Sequence, residues 1–231
     1  MRLSAILALL LAVTAHGQVD PLCGQIQAVT RAAEMAKITV DPDLRAAGTA
    51  CASPGDTAAV RQRLEPLHLT PQRIFAWMDQ FATGLTGHDR FEVLPGLAKA
   101  ALRAGNLDVA QAYARELLQE APQHIKDPIY GDAIYDGYSV LGRVALRHDN
   151  LPLANRYLMN AATTPGSAAL SRAGPDMTLV KELLERRQTS NVLEFFVRCR
   201  EFWKSDNGRL AAWSDSVRNH KMPEFGANLE N

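Results

Sequence analysis

The phrase ALRAGNLDVAQAY, Ala101 to Tyr113, returns as ALRHDNLPLANRY, Ala145 to Tyr157, with seven of thirteen positions identical at an offset of 44. A phrase restated at fixed spacing marks a repeated structural unit, and it constrains this chain more than any other feature. Each copy carries apolar residues at helical spacing on both sides of a short polar break. The break is Gly105-Asn106 in the first copy and Asp149-Asn150 in the second, residue types that tolerate the left-handed backbone at a helix end. A link this short folds two helices back on each other. Ala110 and Ala154 occupy the same place in the second helix, where a small side chain allows close approach, and Pro122 and Pro165 end the copies. A single hairpin has an apolar face that it cannot bury alone, and stacking a second hairpin on it buries that face.

Leu97-Ala98, Ala101, Ala110, Leu117 and Pro122 fall at the spacing of the small and large positions of the tetratricopeptide repeat, a family that the chain here resembles. Leu141-Gly142, Ala145, Ala154, Leu158 and Ala161 do so again, and a degenerate third copy runs Leu179-Val180, Leu183, Val192, Phe196, Cys199. The offsets are 44 and then 38, against a family period of about 34 residues. The excess lies in two insertions, HIKDPIYGDAIYDG and TTPGSAALSRAGPDM. The segment from Ile129 to Leu229 is also similar to a narrower family of bacterial tetratricopeptide-like proteins, through YGDAIYDGYSVLGRVALR, GPDMTLVKELLERR, VLEFFVRCREFW and MPEFGANL. That likeness implies a fold and no activity. Members of the narrower family carry Asn, His and Asn where this chain has Asp132, Tyr135 and Tyr138, so it implies no fixed polar site there.

The expected fold is all-α: a short right-handed solenoid of antiparallel, tetratricopeptide-like hairpins over residues 88–204, after an N-terminal helical segment at 18–87. Residues 205–231 are expected to form a capping helix, with Leu210, Trp213 and Val217 inward, and a tail docked through Phe225 and Leu229. In the N-terminal segment the spacing predicts a helix over Leu22 to Lys37, then a loop through DPDLRAAGTACASPGD. Asp56 is the expected N-cap of the following helix, and Thr70-Pro71 opens the next with Ile74, Trp77, Met78 and Phe81 on one face.

Residues 1–17 read as a secretory signal: Arg2, an apolar run from Ala5 to Val13, then Ala15 and Gly17 before a cleavage site. The run is too short to span a bilayer, so export, with a bacterial periplasm as the destination, is expected and no integral membrane segment after signal removal. Cleavage leaves 214 residues with 24 basic against 25 acidic side chains, a balance that argues against nucleic acid as the partner. In an oxidising compartment Cys23 and Cys51 are disulfide candidates, whereas Cys199 sits at an interior helical position.

No phosphate-binding loop, Gly-x-Ser-x-Gly, His-Glu-x-x-His or Cys-x-x-Cys occurs. The six histidines are scattered with no pair at helical metal-site spacing, so neither a metal nor another cofactor is expected. Two sites compete. Counting from the repeat landmarks Ala98, Gly142 and Val180, the next residues are Lys99, Arg143 and Lys181, and five past the landmark come Arg103, Arg147 and Glu185. Stacked hairpins would align these cations along a concave groove suited to an acidic protein or peptide partner. The alternative is an enzyme built on the first insertion, with Asp127, Asp132, Tyr135 and Asp136 as a polar site beside His124 and Tyr130. Asp132 and Asp136 share a helix face and could bind a cation or share a proton; the plainer assignment of Asp132 is a helix cap.

Overall fold

The computed structural model describes residues 21–52 and 57–229. The signal segment and the capping role of Asp56 lie outside the described residues. Among the described residues twelve α-helices run in chain order: α1 (Pro21–Met35), α2 (Pro42–Ala52), α3 (Thr57–Leu64), α4 (Pro71–Ala82), α5 (Gly87–Arg103), α6 (Leu107–Glu120), α7 (Tyr130–Arg147), α8 (Leu151–Ala161), α9 (Ala168–Ala173), α10 (Thr178–Glu185), α11 (Thr189–Phe202) and α12 (Arg209–Arg218). The described residues contain no strand, and none of their helices is long and apolar enough to cross a membrane.

The expected loop after α1 is a helix. Asp41 accepts a hydrogen bond from Leu44 N at 2.8 Å, so Asp41-Pro42 opens α2 as a cap followed by Pro at N1. Leu44, Ala47, Ala50 and Cys51 then point inward at helical spacing. Pro42 marks the entry and Gly48 a tolerated interior position of this helix; residues 53–56 of the expected loop lie outside the described residues. A disulfide joins Cys23 to Cys51 across 28 residues and fastens α2 to α1; closing a loop of that length stabilises by about 3–4 kcal/mol in the chain-entropy model. Thr70 caps α4 by accepting from Arg73 N at 3.2 Å, and Ile74, Trp77, Met78 and Phe81 are all buried.

The three repeat corners have one geometry. Gly105 (φ 83°), Asp149 (φ 56°) and Arg187 (φ 59°) each take the left-handed conformation. After each, the next backbone N–H returns to a carbonyl five residues earlier: Asn106 to Ala101 and Asn150 to Ala145 at 2.9 Å, Gln188 to Leu183 at 3.0 Å. This is the 6→1 bond of a Schellman ending. Ala110, Ala154 and Val192, four residues further on, have no exposed surface. Helix α5 packs on α6, α7 on α8 and α10 on α11, while α7 touches α5, α6 and α10.

Helix α5 begins at Gly87, ten residues before the first repeat position Leu97. Thr86 opens it, Phe91 is buried, and Pro95 sits inside the helix; the interior Pro forfeits one backbone hydrogen bond without ending the helix. One continuous core joins α1, α2 and α4 to α5 and the start of α7. The first insertion supplies the opening turns of α7, and the second folds against them. Thr164, buried in the second insertion, donates its hydroxyl to Gly131 O at 2.6 Å.

The tail closes the far end. Phe225 is buried against Trp213, ring centroids 5.0 Å apart. Asn228 reaches back with its side-chain amide to Ala173 O at 3.0 Å and Pro175 O at 3.1 Å, and its own carbonyl accepts from Met177 N.

Candidate functional site

The cations projected from the repeats lie on α5, α7 and α10, and those of α5 and α7 reach toward acids of the following helix pair. Lys99 Nζ stands 2.6 Å from Asp136 Oδ2. Arg103, one turn on, also faces Asp136 closely enough to favour its charged form. The second copy repeats the device: Arg143 and Arg147 both donate to Glu182 on α10, at 3.2 and 3.0 Å. Two cations of α7 therefore clamp one carboxylate of α10, and on α5 Lys99 pairs with Asp136 of α7 while Arg103 adds its charge from one turn on. Lys181 instead pairs with Glu185 on its own helix at 3.9 Å. The Arg147 and Lys181 side chains remain 47% and 43% exposed, so this end of the face presents positive charge to solvent.

The polar site projected for the first insertion divides. Asp132 and Asp136 are indeed one turn apart on α7, and they join the Lys99–Arg103 pair instead of forming a separate centre. Asp132 is not the N-cap; Ile129 holds that position. Burial holds Asp132 above its ordinary carboxylate range; a Ser167 hydrogen bond and Lys99 oppose the shift and the Asp136 charge adds to it. Burial also pushes Asp136, only 14% exposed, upward against the pull of Lys99 and Arg103. Tyr135 is buried, with its hydroxyl donated to Asp176 O, and burial raises its pKa far above 10. Such a phenol is a packing group, not an acid. Tyr138 stacks on Tyr157 at 6.2 Å.

Asp127 turns to other partners. Its Oδ1 accepts from Ile129 N at 2.9 Å, and its Oδ2 lies 3.1 Å from His88 Nδ1. With His124 this makes a three-residue group whose candidate ligand atoms all lie within 4.8 Å of one another. Sequence reasoning missed it because His88 opens α5, whereas His124 and Asp127 follow α6; only the packed hairpin brings them together. The His124-x-x-Asp127 spacing was the one available signal.

Between α1, α4 and α5 lies a cleft of about 160 Å³, floored by Ala28, Ile74 and Met78 and edged by Lys99 and Arg103. Its size fits one apolar side chain, and its cations belong to the same face as the clamp. Comparison with family models, curated proteins and solved structures gives no match.

Proposed function

We propose that the protein is an exported, non-enzymatic binding or scaffold protein: a short right-handed solenoid of tetratricopeptide-like hairpins whose α5–α7–α10 face receives an acidic segment of a partner protein. The observation that carries this reading is the double clamp. Arg143 and Arg147 converge on one carboxylate, that of Glu182, and an incoming Asp, Glu or C-terminal carboxylate would share these donors with Glu182 or displace it. Exposed Arg147 and Lys181 give such a segment its first contact, and the apolar cleft beside Lys99 and Arg103 gives it an anchor. The three equivalent corners support the solenoid, and the Cys23–Cys51 bridge supports export to an oxidising compartment.

The test is fluorescence anisotropy with the mature chain and short peptides carrying an apolar residue among Glu and Asp, against the same peptides with Lys. The acidic series is expected to bind at low salt, and Arg147→Glu with Lys181→Glu to abolish binding. Equal binding of both series removes this function. A second reading rests on the Asp132–Asp136 pair beside Lys99, two raised carboxyls that could pass a proton. It requires turnover of some substrate to be lost in Asp136→Asn while peptide binding persists.

A further inference from the structure

We propose that His88, His124 and Asp127 bind a divalent transition cation of the zinc class, which clips the start of α5 to the connection between α6 and α7. Two imidazoles and one carboxylate are a donor set that such ions favour, with a coordination position left for water. Ligands about 2.0–2.1 Å from a tetrahedral ion stand roughly 3.3 Å from one another. His88 Nδ1 and Asp127 Oδ2 already stand 3.1 Å apart. All three candidate ligand atoms lie within 4.8 Å of one another, so binding requires only a modest closing of the group about the ion.

The supporting contacts are those that a ligand set needs. The His124 ring lies flat on Phe91, centroids 4.1 Å apart and planes 6° apart, so its orientation is fixed by a buried side chain. The Ile129 N–H holds Asp127 Oδ1 and leaves Oδ2 to face His88. On the far side of His88, Glu92 Oε2 is 4.0 Å from Nε2, and Arg31 holds the other Glu92 oxygen at 3.1 Å. A carboxylate hydrogen-bonded to a metal-bound imidazole orients the ring and raises its basicity; at 4.0 Å Glu92 stands outside that bond and would close on Nε2 when the ion binds. This arrangement owes nothing to the peptide-binding face, and neither proposal depends on the other.

The test is titration of the chelator-treated mature chain with Co²⁺, followed by visible absorption, and then with Zn²⁺ in competition. Saturation at one equivalent with a tetrahedral-type absorption band is expected. His124→Ala and Asp127→Asn should abolish it with the helical circular dichroism unchanged, and Glu92→Gln should weaken it about tenfold. His88→Ala, at an exposed side chain, serves if His124→Ala fails to fold. A variant with His68, His148 and His220 all changed to Ala should bind normally. Absence of saturable binding overturns the proposal. So does binding that survives both His88→Ala and Asp127→Asn, or that disappears in the triple histidine variant.

Discussion

Lys99 on α5 and Asp136 on α7 form a 2.6 Å ion pair that links the first hairpin to the second. These residues belong to what the sequence presents as two rival sites, a basic stripe and an acidic insertion. Packing makes them one. The pair is three-quarters buried or more on both sides, so each charge relies on the other for what water no longer supplies.

Lys99→Met leaves the Asp136 carboxylate without its nearest counter-charge and is expected to cost about 2–3 kcal/mol at neutral pH, read from urea unfolding. Adding Asp136→Leu should recover most of that loss. Failure of the double variant to recover would mean that Lys99 contributes through its stem and not its charge.

Asp132 and Asp136 are both held above the ordinary carboxylate range, chiefly by burial. The folded state thus keeps their protons to higher pH than the unfolded chain does. Their ionisation opposes folding: the penalty is absent below the unfolded pKa and grows as pH rises through the folded values. Asp132→Asn is expected to raise the melting temperature at pH 7 and to lose that advantage below about pH 4. Equal stabilisation at both pH values would contradict the assignment.

A Cβ added at Gly131 would stand 1.9 Å from Gly166 O, a backbone atom that cannot swing aside. Gly131→Ala should therefore cost about 3 kcal/mol or more and separate the second insertion from α7. Thermal unfolding checks the cost. Fluorescence of Trp203, beside the second insertion at Gly174, checks the separation.

At the third corner Arg187 adopts a left-handed conformation that the first corner assigns to glycine. Arg187→Gly is expected to stabilise by about 0.5–1 kcal/mol, the steric relief outweighing the added freedom of the unfolded chain. A destabilised variant would show that the Arg187 side chain holds the corner by a contact of greater worth.

The all-α fold was legible because its signals are local: apolar residues at helical spacing and corner residues able to turn left-handed. Helix α2 was misread for an equally local reason, since Asp41-Pro42 and Gly48 look like a loop until Leu44, Ala47 and Cys51 are seen to share a face. Both copies of the repeated Arg are now accounted for, Arg103 facing Asp136 and Arg147 facing Glu182. Neither acid could be matched to its cation from sequence. Asp136 lies six residues before its landmark Gly142 and Glu182 two after Val180, so the clamp repeats in space without repeating in register. The His88 group was invisible for the same reason, being a product of the packed hairpin.

The tail also bears on the order in which the molecule can be completed. Asn228 supplies hydrogen bonds to carbonyls 53 and 55 residues earlier in the chain, whereas the Cys23–Cys51 bridge joins residues only 28 apart. A chain that folds from its N-terminal side can lock its first two described helices early. Its last helical pair stays open at one edge until Asn228 is in place.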